Sequence, residues 1–259
     1  MNLSILADAW SWLTTADNWS GDGGAWHRLT EHLHLTGVCL ALSCVLALPL
    51  ALWLGHGGGR RFAGALAINI SNAGRAVPTF AVLVLLTLGP LGTHGDLPTI
   101  IALILFAVPP LLTNAYVGIA QADPDVVQAA QGMGMSPLQI LGRVEIPLAF
   151  PLIMTGVRTA AVQIVATATL AALPGGGGLG RIITAGFRTY RTPQVVAGAV
   201  LVALLALAVE GVLALAQRLL DPGRRRRVRT AAPEPADEAP QEAPTDRPPS
   251  TRPLTGSTQ

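Results

Sequence analysis

The chain has 259 residues, of which 51% are hydrophobic and only 12% are charged, and its formal net charge at pH 7 is +2. A soluble protein of this length needs more polar side chains than that to cover its surface. The composition excludes an ordinary soluble enzyme and predicts a membrane protein. The 17 basic residues are all arginine and form no stripe that alternates with aromatic residues, so we expect no binding to nucleic acid.

Residues 1–28 precede the first long apolar run and contain Trp10, Trp12, Trp19 and Trp26. They lack the positive start and the small-residue cleavage site of a signal peptide. Tryptophan is enriched where helices meet the membrane surface, and a cation–π cage for a quaternary ammonium ligand is the alternative. We interpret the segment as interfacial and expect it to be periplasmic.

Five apolar runs follow, each long enough to cross a hydrocarbon layer of roughly 30 Å. The second run contains polar residues, among them Arg75, but its two halves are each too short to span the layer. We therefore predict one tilted helix there, with Arg75 extended towards the membrane surface. The predicted spans cover residues 32–54, 62–90, 97–120, 150–173 and 195–219.

The positions of the arginines set the predicted orientation, because cytoplasmic segments carry an excess of positive charge. If five spans run from an outer N-terminus to an inner C-terminus, the cytoplasmic side receives Arg60, Arg61, Arg143 and the cluster 224–227. Six spans would leave Arg60 and Arg61 outside. The predicted fold is an all-α membrane protein, a bundle of five transmembrane helices with six as the alternative.

The chain divides into three predicted regions: an interfacial segment at 1–28, a transmembrane domain at 29–220 and a tail at 221–259. The tail is rich in Pro, Ala, Glu and Thr and has almost no large apolar residue. Such a segment cannot bury enough surface to fold, so we predict a disordered cytoplasmic tail.

Residues 121–149 form the longest polar insert between two apolar runs. Asp123 can cap the start of a helix, and Pro124 suits its first position, where no amide donor is needed. Gly134 can adopt the left-handed conformation that ends a helix. These residues predict a short helix and then a turn.

A second helix is predicted directly after that turn. Ser136 and Gln139 have the spacing of a capping box, in which each side chain binds the other residue's amide. We expect this helix to stop at Ile146, because Pro147 disfavours helical geometry in the residue before it. The insert is therefore predicted to be a helix-turn-helix.

The sequence QAAQGMG, followed by an Ile-Pro pair, resembles the EAA loop of the permease subunits of bacterial ABC importers. The resemblance implies that the loop is cytoplasmic and docks on a separate ATPase subunit. The first matching residue is Gln where the family usually has Glu, which argues against an ionic role at this position but not against the shape of the loop. The matching residues are Gln128, Ala129, Ala130, Gly134 and Pro147.

The similarity extends over residues 29–220 and implies an ATP-driven importer in the bacterial cytoplasmic membrane. Its closest likeness is to permeases of osmoprotectants such as glycine betaine, choline or carnitine, and methionine-type permeases are the alternative cargo class. The implied partners are ATPase subunits that carry ATP and Mg, an extracytoplasmic substrate-binding protein, the lipid bilayer, and a second permease that is either identical or homologous.

A run of four glycines lies at the predicted outer end of the fourth span. The string GGGGLG at 175–180 formally fits a nucleotide-binding pattern, but it follows an apolar helix and no acidic residue comes about 20 positions later. It resembles a glycine-rich element of the same permease family, and we interpret it as an outer gate or a plain turn. The candidate gate residues are Gly175, Gly177, Gly178 and Gly180.

Polar residues inside the apolar runs are costly unless they line water or bind one another. We interpret six of them as candidates for lining a translocation path, with an interhelical hydrogen bond as the alternative for each. Glu210 is predicted to be a partner in such a bond. The six candidates are Asn69, Asn72, Arg75, Asn114, Gln163 and Thr167.

No ATP-binding, zinc-protease or nucleophile-elbow motif occurs in the sequence, so we expect no catalytic residue and no cofactor on this chain. His27, Glu31 and His34 could share a helical face, but no fourth ligand is evident and no metal site is predicted. An ATP-independent transporter or channel is the competing function, and a membrane-embedded enzyme is a third.

Overall fold

The computed structural model describes residues 3–56, 61–74 and 76–221, and every regular element in these ranges is helical. The predicted tail from 222 onwards, together with Arg60 and Arg75, lies outside the described residues. The all-α class is confirmed. The helices are α1 (Leu3–Thr14), α2 (Ala25–Gly55), α3 (Arg61–Gly74), α4 (Thr79–Leu88), α5 (Leu97–Ala120), α6 (Pro124–Gly132), α7 (Pro137–Ile140), α8 (Ile146–Thr167), α9 (Gly180–Arg188) and α10 (Thr192–Leu220).

Four helical stretches in the described residues are long and apolar enough to cross a membrane: α2, α5, α10 and the continuous stretch Pro137–Ala172 that contains α8. The pair α3 and α4 supplies a fifth if both helices belong to one span. Four of the five predicted spans therefore coincide with helices of membrane-spanning length, and the second corresponds to the pair α3 and α4.

The prediction of one continuous helix over 62–90 is wrong. The structure has two helices there, and their axes differ in direction by 76°. Pro78 precedes α4, with a φ of −61° and a ψ of 119°, so its backbone is extended. Proline disfavours helical geometry in the preceding residue, here Val77, and this local effect outweighs the preference for a single long span.

The core is built around α5, which packs against both α2 and α8, and these two helices also contact each other. Ala107, Leu111 and Ala115 of α5 are completely buried. A Cβ atom at Gly156 of α8 would lie only 3.0 Å from the carbonyl oxygen of Pro110. Small residues therefore allow the two backbones to approach closely, as is typical of helix packing in membranes.

The N-terminal segment folds back onto the helices. Helix α1 packs against α10, and the indole nitrogen of Trp19 donates a hydrogen bond to the carbonyl of Leu13 at 2.7 Å. The rings of Trp19 and Trp26 lie 5.1 Å apart at 54°. Trp10 and Trp26 are largely exposed, with 68% and 61% of their surface accessible, which is compatible with an interfacial position.

Candidate functional site

The loop between α5 and α8 begins with α6, and local hydrogen bonds cap both ends of this helix. At the start, the Asp123 carboxylate accepts a hydrogen bond from the amide of Asp125 at 2.9 Å. At the end, Gly134 has a φ of +79°, and the amide of Met135 donates to the carbonyl of Ala130 at 3.2 Å. This arrangement is a Schellman motif, which turns the chain away from the helix axis.

The second half of the loop starts at a capping box. The amide of Ser136 donates to Gln139 Oε1 at 2.8 Å, and the amide of Gln139 donates to Ser136 Oγ at 3.4 Å. The prediction that this helix stops at Ile146 is wrong, because a π-helical turn at Leu141–Glu145 carries it directly into α8. Pro147 lies in the first turn of α8, directly after the π-helical turn.

The turn between the two short helices of this loop carries two large, exposed apolar side chains. Met133 and Leu138 flank the turn between α6 and α7, with 75% and 80% of their surface exposed. Gln128 and Ala129 are exposed as well, whereas Ala130 is buried. Our sequence reasoning singled out the small residues and missed the two apolar ones. Their signal is an unpartnered large hydrophobe beside a helix-capping residue in an otherwise polar segment.

A buried carboxylate joins this loop to the end of α2. Glu145 is only 4% exposed, and its Oε2 atom lies 2.7 Å from Nδ1 of His56. A cavity of about 200 Å³ lies beside this pair and is lined by α2, α5 and α6. Our sequence reasoning missed both residues, although an acidic residue directly before the Ile-Pro pair is an unusual feature in an apolar region.

The glycine-rich segment is bound to the start of α2 by two hydrogen bonds, and α8 is bound to the same part of α2 by a third. The amide of Gly178 donates to the Glu31 carboxylate at 2.8 Å, and the amide of Leu179 donates to His32 Nδ1 at 3.3 Å. His32 is completely buried, and its Nε2 atom lies 2.9 Å from the carbonyl oxygen of Val165. Since a carbonyl only accepts, the proton of a neutral ring must be on Nε2.

At each of the four candidate gate glycines, another residue would be strained or would clash. Gly175 and Gly178 have φ values of +106° and +88°, which other residues rarely adopt. A Cβ atom at Gly177 would lie 2.6 Å from the carboxylate of the glutamate in α2, and one at Gly180 would overlap the carbonyl of Thr169. The segment is thus closely packed against α2 and against the end of the stretch that contains α8.

Glu31 has further partners at the start of α2. His27 Nε2 lies 3.3 Å from its Oε1 atom, and the Arg28 guanidinium lies 2.8 Å from its Oε2 atom. Glu31 therefore connects two cationic or polar side chains of its own helix to the glycine-rich segment. No group of three or more possible metal ligands occurs within the described residues.

The candidate lining residues do not gather on one surface. Asn69 and Asn72 are exposed on α3, whereas the Asn114 amide of α5 donates to a carbonyl of its own helix at 2.8 Å. The Thr167 hydroxyl likewise donates to the backbone carbonyl of Gln163 at 2.6 Å. Of these residues, Gln163 lines a groove between α8 and α10.

This groove has a volume of about 700 Å³ and contains an ion pair. Arg158 of α8 donates through Nε to Glu210 Oε1 at 3.0 Å, and through a terminal nitrogen to Gln217 Oε1 at 3.0 Å. Glu210 is therefore a partner in an interhelical contact, as predicted. The sequence did not indicate that its partner would be Arg158.

Comparison with known proteins identifies the family. The family described as the inner membrane component of binding-protein-dependent transport systems matches residues 47–226. The chain belongs to this permease family. The resemblance to the permease subunits of ABC importers is thereby confirmed, and the permease is a multi-pass membrane protein.

Individual relatives of the permease carry related names. It is 35% identical over 203 residues to the choline transport system permease protein OpuBB of Bacillus subtilis, an alignment that covers 78% of this chain and 91% of the relative. It is 34% identical over 192 residues to the osmoprotectant import permease protein OsmY of Salmonella typhimurium, covering 74% and 80% of the two chains.

A solved structure shares the fold of the permease. An inward-facing form of the MetNI methionine ABC transporter has a chain that superimposes with a TM-score of 0.65. The superposition covers 75% of this chain and 95% of the other, at 22% sequence identity. Similarity at this level of identity establishes the fold alone, and it agrees with the predicted all-α membrane bundle.

Proposed function

We propose that the permease is the membrane-spanning subunit of an ATP-driven importer of osmoprotectants such as glycine betaine, choline or carnitine. The observation that carries this proposal is 34–35% identity over about three quarters of the chain to permeases whose names specify choline and osmoprotectant import. The methionine alternative is supported by the likeness to MetNI, which concerns the fold alone.

The loop formed by α6, α7 and the π-helical turn is the proposed contact with a separate ATPase subunit. Met133 and Leu138 present apolar surface at its turn, and such side chains bury well in a groove of a partner. The buried Glu145 links the loop to His56 of α2, and the π-helical turn continues into α8. Movement of the loop would thus be transmitted to two membrane helices directly.

The proposed assembly contains two ATPase subunits, which bind and hydrolyse ATP with Mg, and two permeases, either identical or homologous. An extracytoplasmic binding protein delivers the cargo. The N-terminus lies outside and the C-terminus in the cytoplasm. In this orientation the glycine-rich segment lies at the outer end of the helices, where its contacts with Glu31 and His32 close the path until the helices separate.

Uptake of labelled solutes tests this proposal. Cells that carry the complete transporter should accumulate glycine betaine, carnitine or choline, and deletion of this permease should abolish that uptake. Depletion of cellular ATP should have the same effect. Uptake of methionine but of no quaternary ammonium compound would assign the permease to the alternative cargo. Uptake that persists without an ATPase subunit would contradict an ATP-driven importer.

A further inference from the structure

The ion pair between α8 and α10 is a feature that the coupling scheme does not use. Arg158 and Glu210 lie within two helices of membrane-spanning length, and their side chains are 30% and 34% exposed. A charged side chain in contact with lipid at mid-membrane costs about 2.5 kcal/mol or more. The groove around this pair is therefore expected to face water or protein inside the transporter.

Other polar groups in the groove still have capacity to bind a ligand. The hydroxyls of Thr155 and Thr159 donate to backbone carbonyls of their own helix at 2.9 Å, so their oxygens remain available as acceptors. These groups and the ion pair line the same groove.

We propose that this groove binds a zwitterionic quaternary ammonium solute during transport, with Arg158 holding its carboxylate and Glu210 its cationic end. This inference rests on the proposed osmoprotectant function. An arginine matches a carboxylate in a two-point hydrogen bond, and a glutamate attracts a methylated ammonium group, which donates no N–H bond. The methyl groups would contact Val162, Ala206 and Leu207, which also line the groove.

The arginine and the glutamate form a neutral pair, so a solute can bind and leave without a charge remaining unpaired. Without a ligand, the arginine and the glutamate satisfy each other, so neither charge is left unpaired in the membrane. A zwitterion offers one partner to each and exchanges one set of contacts for another. A solute with a single charge satisfies only one of the two residues, which predicts a difference between betaine and choline.

Transport by the complete importer tests this difference. Glycine betaine and carnitine have a carboxylate and choline has none, so Arg158→Gln should raise the KM for the first two about 10-fold or more. The KM for choline should change much less, whereas Glu210→Gln should raise the KM for all three. Arg188→Gln removes an exposed arginine on α9 and should leave the betaine-to-choline ratio unchanged.

Equal effects of Arg158→Gln on betaine and choline would show that the pair only holds the helices together, and would overturn the site. Import of choline without betaine or carnitine would also overturn it, while the proposed importer function would stand. Loss of all uptake on deletion of the permease tests that function separately.

A labelling experiment covers the case in which Arg158→Gln does not fold. Thr159→Cys, introduced with Cys39→Ala and Cys44→Ala, places a thiol in the groove of the assembled importer in membranes. Glycine betaine should slow its reaction with a maleimide at least several-fold and should not affect Thr189→Cys on the exposed end of α9. Absence of protection would overturn the site. A disulfide-linked dimer through Thr159→Cys would do the same, because a second permease would then fill the groove.

Discussion

Single glycines determine the backbone shape of the proposed coupling loop and of the glycine-rich segment. Gly134 has a left-handed backbone, but a Cβ atom there would meet nothing within 4 Å. Gly180 has the opposite property, because its Cβ atom would overlap the carbonyl of Thr169. The first glycine is therefore required for its conformation, which costs other residues about 1–2 kcal/mol, and the second is required for space.

Substitution of Gly134 separates conformation from bulk. Gly134→Asn should keep near-normal uptake, since asparagine tolerates a left-handed backbone. Gly134→Trp should abolish ATP-dependent uptake at an unchanged level of protein in the membrane, because a large side chain at the open turn obstructs docking of the ATPase subunit. Uptake and immunoblots of the membrane fraction measure both effects. Normal uptake by the Trp variant would contradict docking at this turn.

At the scale of elements, hydrogen bonds between residues far apart in the chain hold the glycine-rich segment and the π-helical turn against α2. Glu31 of α2 binds the glycine-rich segment 147 residues later, and His56 at the end of α2 binds Glu145 in the π-helical turn. Helix α2 thus contacts both the proposed coupling loop and the proposed gate. This connection gives a physical route between the two, through one continuous helix of 31 residues.

Removal of the Glu145 carboxylate should weaken that route. Glu145→Ala leaves His56 without its partner at a largely buried site, and loss of such a hydrogen bond costs roughly 1–3 kcal/mol. We expect a lower melting temperature in detergent and less uptake for each ATP hydrolysed. Glu145→Gln keeps a hydrogen-bonding group of the same size and should fall between Ala and the natural residue. Identical behaviour of the natural and Ala proteins would show that the contact has no role in coupling.

At the scale of the whole molecule, the number of spans depends on whether α3 and α4 together cross the membrane. If they do, five spans place residues 3–24 and α9 on one side, and α6 and α7 on the other. If they do not, four spans place the N-terminal segment and α6 on the same side. Because α3 and α4 meet at an angle of 76°, their combined length does not show whether they cross the membrane as one span.

Cysteines at exposed sites distinguish the two arrangements. In a Cys39→Ala, Cys44→Ala background, an impermeant maleimide added to intact cells should label Ser20→Cys and Tyr190→Cys. Leu138→Cys, equally well exposed, should react after the membrane has been opened. Labelling of Leu138→Cys in intact cells would place the proposed coupling loop outside and exclude its contact with a cytoplasmic ATPase.

Local patterns were sufficient to predict the helical class, the positions of the five apolar runs and the caps at Asp123, Gly134 and Ser136. These features depend on hydrogen bonds between near neighbours and on the burial of apolar stretches, both of which are visible in a short window of sequence. Pro78 also stands in the second apolar run, but our sequence reasoning considered only the polar residues and the length of that run and missed the break.

The tertiary structure decided which side chains meet. Glu31 binds one partner that lies 147 residues away in the chain, His56 binds one that lies 89 residues away, and Arg158 binds partners 52 and 59 residues away. The sequence shows that each of these polar side chains lies in an apolar region, and this predicts that it needs a partner. The choice of partner depends on which helices pack together and at what rotation, and that is determined by the fit of small residues across α2, α5 and α8 rather than by any neighbouring residue.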